Sequence, residues 1–534
     1  VRVTALVREL LPPTLRRFES PHDITPRTHL LSNGRYTVMI TAAGAGFSRW
    51  GDLAVTRWRE DAIRDDWGSF IFLRDAETGA VWSAVFQPSG AEADAYDVVY
   101  SEDRAKIIQR HRSVSTTLVI VVSPEDDAEL RRLTVTNLED EDRVIDVTSY
   151  AEVVVAPQGV DEAHPAFSNL FVETEFVPEL GTLLASRRPR SADEPRVWLA
   201  HLIALDGEAY DTLQYESDRA RFLGRGRGIR TPLSVVDGEP LSNRTGIVLD
   251  PIMSLRQRVA IPGRGTAHLV FTTLVAPSRE EALAMAEKYR QRETFERESS
   301  LAWTKAQVQL HHLRITQDEA HLFQRLANRL LFVDPTLRAA PQELAKNRGG
   351  QPRLWAYGIS GDLPITLVEI ETEEEREVAR QLLRAHEYWY RKGIAADLVI
   401  LNAQGTSYAP GLQESLEAMV RASQSAAGHE GHPEHGGVFL LRTDLVPPPD
   451  QVLLQAAARV VILARRGSLA EQVVRLGRSR PGPVPRRLRA RPESAEVVSP
   501  PALDLEFFNG LGGFTADGRE YVMALGRGQW TPAP

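Results

Sequence analysis

Between about residue 28 and residue 275 the chain is a succession of short strand-like runs with no helix-length period between them. The runs "RYTVMI", "SFIFLR", "AVWSAVF", "YDVVY", "TTLVIVV", "RVIDVTSYAEVVV" and "SNLFVETEF" are rich in β-branched and aromatic residues, and turn formers such as "DAETG", "SPEDD" and "NLEDED" separate them. Strands that follow one another this closely, without intervening helices, point to antiparallel layers. A large sandwich is therefore expected in preference to a doubly wound sheet, with a barrel as the alternative.

Near residue 278 the period changes. "SREEALAMAEKYRQRETFERESSLAWTKAQVQL" reads as one or two helices that bridge to a helical part. In "TQDEAHLFQRLANRLLF" Thr316 and Glu319 have capping-box spacing, followed by Leu322, Leu326 and Leu330 on one face. "TEEEREVARQLLRAHEYWYRKG" repeats the device with Thr372 and Glu375, and Gly393 stops it. A further helix pair is expected after "PPPD", with Ser468 and Glu471 capping its second member. Residues 476 to 500 are rich in proline and arginine and read as an extended linker. Patterned sequence then resumes, and "DGREYVM" echoes "NGRYTVM" at 33 to 39.

Composition removes several classes of function. The 534 residues contain no cysteine, which excludes disulfides, thiolate nucleophiles and cysteine-ligated zinc. A net charge of -9 argues against a nucleic-acid scaffold. No apolar run approaches the roughly 18 residues that span a bilayer. The opening "VRVTALVRELLPP" is too short and too charged for a signal sequence and lacks an initiator methionine. It reads as an internal or alternative start, and hints that the chain is a piece of something larger.

The stretch "GFSRWGDLAVTRWREDAIRDDWG", residues 46 to 68, is the main candidate for a binding surface. Trp50, Trp58 and Trp67 each stand beside charge, and a sugar ring, with its apolar faces and polar edges, suits an aromatic platform flanked by Arg, Asp and Glu. The same rings are equally able to cover the edge of a sandwich core, and strand alternation leaves both readings open. In "LWAYGISGDLPITLVEI" Ser360 or Asp362 is placed to cap a helix starting near Leu363, and Asp362 is a weak candidate for a general acid. His429, His432 and His435 in "HEGHPEH" sit in a glycine- and proline-broken loop without visible supporting ligands, so no metal and no cofactor is expected. "FLGRGRG" lacks the Lys-Ser/Thr pair of a phosphate loop and reads as a turn.

The run "LLSNGRYTVMITAAGAGFSRWGDLAVTRWREDAIRDDWGSFIFLRD" resembles the sheet-domain signature of cyclic β-1,2-glucan synthases. "VVSPEDDAELRRLTVTN", "SYAEVVVAPQGVDEAHPAFSNLFVETEF", "DRARFLGRGRGIRTP", "NRGGQPRLWAYGISGDLPI" and "LLRAHEYWYRKGIAADLVILN" are similar to later stretches of the same proteins. The resemblance implies a place within a large multidomain membrane protein that ends in a phosphorylase-like region of glycoside hydrolase family 94. Phosphorylases of that family combine a β-supersandwich, a helical linker and an (α/α)6 barrel, and their general acid is an aspartate inside the barrel. The barrel motif around that aspartate is not found here, Asp362 does not match it, and so no catalytic residue is carried over. From the sandwich the resemblance supplies a carbohydrate-binding candidate surface of Arg49, Trp50, Asp52, Arg57, Trp58, Arg59, Glu60, Asp65 and Trp67.

The expected fold is thus an antiparallel β-supersandwich followed by an α-helical domain that resembles an incomplete (α/α)6 barrel. Expected boundaries are an N-terminal extension to 27, the sandwich over 28–277, a helical linker over 278–312, the abbreviated helical domain over 313–475, the linker over 476–500, and the start of a second sandwich repeat over 501–534. The expected function is to hold or position β-1,2-glucan without catalysis, as part of a larger synthase on the inner face of a bacterial cytoplasmic membrane. An inverting phosphorylase or transglycosidase of β-1,2-gluco-oligosaccharides and a purely structural module are the alternatives. The partners expected are β-1,2-glucan or a gluco-oligosaccharide and the rest of such a synthase, with homodimerisation left open and no nucleic acid.

Overall fold

The computed structural model describes residues 15–404 apart from 192, 193 and 195, and then 411–427, 436–475 and 504–525. The opening stretch to Pro13, the "HEGHPEH" loop and the 476–500 linker lie outside the described residues. The chain divides into two compact units, residues 1–482 and 483–534.

Two antiparallel sheets of ten strands each build the first part of unit one. The first runs in the order Arg16–Phe18, Ala95–Ser101, Arg104–His111, Val114–Val122, Ala128–Asn137, Thr266–Ala276, Trp198–Asp206, Thr182–Arg187, Val172–Val177, Gly246–Ile247. The second has Glu208–Ala209, Pro251–Ile261, Arg143–Pro157, Leu53–Thr56, Gly46–Trp50, Tyr36–Thr41 and Thr28–Ser32 along its main path. Strand Arg16–Phe18, which precedes the expected start of the sandwich, pairs with Ala95–Ser101 at the edge of the first sheet.

Alternation along single strands shows how the layers stack. In Val114–Val122, Leu118 and Ile120 face the core between the sheets, whereas Val119 and Val121 face a second core against helix Arg279–Tyr289. Side chains of successive strand residues point to opposite faces, so a strand covered on both sides must be apolar throughout. That is why "TTLVIVV" reads as a continuous apolar run. In the second sheet Val38 and Ile40 enter the inter-sheet core, while Leu30, Met39 and Phe47 join a third core formed with helices Gln317–Leu331 and Arg376–Arg391.

Both helices start as expected. Thr316 with Glu319, and Thr372 with Glu375, form capping boxes, the latter on a short 3₁₀ turn that leads into Arg376–Arg391. Ser468 and Glu471 exchange the same pair of bonds before helix Leu469–Arg475. The expected incomplete (α/α)6 barrel is corrected by the structure. A four-stranded parallel sheet stands there, in the order Val438–Arg442, Asp397–Asn402, Ile365–Ile370, Val460–Leu463, with helices in the connections. The expected helix start near Leu363 is likewise a strand, Ile365–Ile370. "ITLVEI", "DLVILN" and "VVIL" are short apolar runs buried between helical layers, and periodicity cannot distinguish such strands from buried helix.

The two parts of unit one are sewn together by polar groups as well as by the third core. Gln324 accepts from Leu30 N and donates to Leu30 O, both at 3.0 Å, in the manner of an added strand partner. Asn328 Oδ1 accepts from Thr28 N at 2.6 Å. Trp389 is fully buried and donates its indole N–H to Phe323 O at 2.8 Å. Within unit two the described residues hold a hairpin that pairs Gly512–Phe514 with Tyr521–Met523, so "DGREYVM" does lead into a strand. No helix among the described residues is long and apolar enough to cross a membrane.

Candidate functional site

Strands Gly46–Trp50 and Leu53–Thr56 form a tight hairpin, and the chain leaves it through Arg57, Trp58 and Arg59. Gly51 occupies the turn at φ +53°, a region open to glycine at little cost. Four of the nine expected residues, Arg49, Arg57, Trp58 and Arg59, line one narrow cleft of about 10 Å³, room for a single water molecule, together with Phe47, Gln158 and Asp161.

Arg57 is the centre of the cleft's wall. Its guanidinium is buried and donates to Glu152 Oε2 at 2.6 Å, Asp161 Oδ1 at 3.1 Å, Asn169 Oδ1 at 2.8 Å and Asp250 Oδ1 at 3.3 Å. Burial opposes its charge, but the hydrogen bonds to Asp161 and the charges of Glu152, Asp161 and Asp250 outweigh that, holding Arg57 above the ordinary arginine range. Arg59 also donates to Asp161, and Arg219 to Glu152 at 2.8 Å and Asp250 at 3.2 Å. Three arginines and three carboxylates thus neutralise one another in a single network, closed by Tyr150 donating to Glu152 at 2.8 Å.

Arg49 differs. Its partner is the Gln158 amide oxygen at 2.7 Å, and its guanidinium lies over the Phe47 ring, 5.0 Å from the centroid. Burial lowers its pKa, with Asp52 and Glu162 acting the other way. Of the cleft's cations it is the one whose hydrogen-bond partner is neutral, which leaves it suited to an added acceptor.

The remaining expected residues are dispersed. Trp50 packs against the inter-sheet core and donates its indole N–H to Asp127 at 2.7 Å. Trp58 meets Phe47 and Phe332 edge-on, at centroid distances of 5.4 and 5.9 Å, and packs against the third core. Glu60 accepts from Val333 N at 3.1 Å and pairs with Arg459 at 2.9 Å, so it ties the hairpin exit to the α/β part. Asp65 accepts from Thr41 Oγ1 at 2.8 Å. Its carboxyl is pushed up to about 7 by burial, with Asp66 and Asp61 adding to the shift and the Thr41 bond opposing it. Trp67 is half-buried and its carbonyl accepts from Gly46 N at 2.7 Å. Asp52 is exposed in the turn. Asp362 is exposed and accepts from Gln351 at 2.8 Å.

Nothing local in the sequence marks Glu152, Asp161, Asn169, Asp250 and Arg219 as part of this site, because they lie 95 to 193 residues from Arg57. The one available signal was charge inside apolar strand sequence, as in "SYAEVVV", where a glutamate must find a cation. Among the described residues no group of three or more His, Asp or Glu side chains is arranged to hold a metal ion.

Residues 12–292 match the family described as Glycosyl hydrolase 94, supersandwich domain. The chain belongs to this family. The matched residues contain the antiparallel sandwich that carries the Arg57 cleft, and the match ends just after helix Arg279–Tyr289. The chain is also 38% identical to the cyclic beta-(1,2)-glucan synthase NdvB of Rhizobium meliloti (strain 1021) over 98% of its own length and 19% of that protein's. An N,N'-diacetylchitobiose phosphorylase of Vibrio furnissii is 25% identical over 41% of this chain and 27% of the relative. A solabiose phosphorylase of Paenibacillus borealis is 25% identical over 45% of this chain and 34% of the relative. The chain thus spans about a fifth to a third of these relatives' lengths.

Proposed function

We propose that this glycosyl hydrolase 94 sandwich holds β-1,2-glucan for chemistry carried out elsewhere in a larger glucan synthase, and is not itself catalytic. The observation that carries the reading is the neutralised Arg57 network. Glycoside hydrolysis needs one carboxyl able to deliver a proton and another free to act opposite it, and phosphorolysis, in which phosphate is the attacking group, still needs the first. The carboxylates beside the cleft instead accept hydrogen bonds from Arg57, Arg59 and Arg219. Such a wall can bind hydroxyls, but binding that is equal in ground and transition states does not lower a barrier. The similarity to a cyclic beta-(1,2)-glucan synthase over nearly the whole chain supports the choice of glucan. Arg49 is the group we assign to the ligand's oxygens, with the half-buried Trp58 as the apolar side.

Association with the other parts of a synthase at the inner face of the cytoplasmic membrane belongs to the same proposal. Calorimetric titration with β-1,2-gluco-oligosaccharides tests it. Saturable binding is expected, without release of glucose 1-phosphate when phosphate is added. Arg49→Ala is expected to weaken binding about tenfold, the loss of one charge-assisted hydrogen bond worth about 1.5 kcal/mol. Turnover of sophorotriose with phosphate at enzymatic rates would replace this reading with the phosphorylase alternative.

A further inference from the structure

A second groove, sharing no lining residue with the Arg57 cleft, lies where segment 19–22 passes the edge of the first sheet. It encloses about 830 Å³ against strands Ala95–Ser101 and Arg104–His111. That volume is toward the upper end of small-molecule sites, which run from about 300 to 1,000 Å³.

Its wall and floor have distinct chemistry. Phe86 and Tyr96 are each half-buried in the wall, and the Tyr96 hydroxyl is fixed by donating to Ala42 O at 2.7 Å, which leaves the ring as an apolar surface. Gln109 lines the groove with only 1% of its surface exposed. Its Nε2 donates to Ser83 O, while its Oε1 has no protein partner. That oxygen is sealed from the groove, so Gln109 forms part of its floor and is not a contact for a ligand.

At the rim His22 bonds both Glu92 oxygens, at 3.0 and 3.1 Å, and meets Phe86 edge-on at 4.8 Å. Asp94 accepts from Arg112 N at 2.7 Å, and each rim carboxylate retains lone pairs for further donors. With Glu19 and Asp97 also present against Arg17 and Arg110, the groove is richer in acceptors than in cations. An anion is disfavoured there, and a ligand with many neutral donors and apolar ring faces is favoured.

We infer that this groove is a saccharide-binding site for a neutral oligosaccharide, whose ring packs on Phe86 and Tyr96 and whose hydroxyls donate to the rim carboxylates Glu92 and Asp94. That the sugar is a β-1,2-glucan rests on the function proposed above; that it is a neutral glycan does not.

The test titrates the full chain with β-1,2-, β-1,3- and β-1,4-gluco-oligosaccharides, in parallel with Phe86→Ala, Glu92→Gln and Arg49→Ala, with thermal melts to confirm folding. Loss of affinity of about tenfold or more in folded Glu92→Gln or Phe86→Ala, for a component of binding that Arg49→Ala leaves intact, is the expected result. If that component takes β-1,3- or β-1,4-chains and not β-1,2-chains, the groove stands and the β-1,2-glucan reading falls. Binding that only Arg49→Ala weakens keeps the glucan reading and overturns the groove. Absence of binding by every glycan overturns it too.

Discussion

Tyr388 donates a hydrogen bond of 2.8 Å to Glu102 across 286 residues of sequence, joining helix Arg376–Arg391 to the turn between strands Ala95–Ser101 and Arg104–His111. Lys392 Nζ lies 3.3 Å from the same carboxylate, and all three side chains are buried. Tyr388 also accepts from Gln324 at 2.8 Å, the residue that bridges to Leu30. The joint between sandwich and α/β part is thus a continuous buried polar chain, and breaking it at any one member strands the others.

Removing one partner of a buried ion pair costs about 3–5 kcal/mol, because the other charge is left without compensation. Glu102→Gln is therefore expected to lower stability by about 3 kcal/mol in urea unfolding. The double variant Glu102→Gln/Lys392→Met should cost less than the sum of the two single changes. Simple additivity would show that the pair is not coupled.

Gly393 ends helix Arg376–Arg391 at φ +74°, and a Cβ placed there would lie 2.3 Å from Thr37 Oγ1. Gly393→Ala meets a left-handed backbone and a clash with the sandwich at once. A loss of about 2–3 kcal/mol is expected, about 1 from the backbone and the rest from overpacking. Adding Thr37→Ala should restore part of it. A neutral Gly393→Ala, read from thermal melts, would mean that the helix end moves freely against the strand.

Arg57→Met leaves Glu152 and Asp161 facing each other without their shared cation. The change is expected to cost about 3–5 kcal/mol. Arg57→Lys, which cannot reproduce the fork of donors, should fall between. Melting temperatures of the three proteins check the order.

Asp65 sets an opposite trend with pH from that of most carboxylates. Its folded carboxyl is pushed up to about 7, whereas an unfolded aspartate titrates near 3.9. Between those values the folded chain binds the extra proton, so this contribution is fully present below about pH 4 and is lost as pH rises through 7. Asp65 is half-buried, and solvent screening reduces the effect to about 1 kcal/mol. Asp65→Asn is expected to be the more stable protein at pH 8 and to lose this advantage at pH 4. Parallel stability curves for the two proteins would remove Asp65 from the account.

Local signals in the sequence carried the sandwich and the helix starts, because turn formers, capping boxes and alternation act over a few residues. Thr316 with Glu319 and Thr372 with Glu375 needed nothing beyond their spacing. The parallel sheet was hidden for the opposite reason. Val399 and Ile400, adjacent in one strand, are both buried, in different cores, so no alternation marks the strand. The candidate site was legible only in part. Arg49, Arg57, Trp58 and Arg59 do converge, but Trp50 and Glu60 are engaged by Asp127 and Arg459, residues whose approach depends on the assembled fold.

Leu30, Met39 and Phe47 have a further consequence. They sit on the sandwich, yet they are covered by helices that begin after residue 292, where the family match stops. A protein trimmed at that boundary would present an oily strip across three outer strands, the kind of surface that invites self-association. The smallest well-behaved piece of this molecule is set by who shields that strip, and not by where sequence kinship ends.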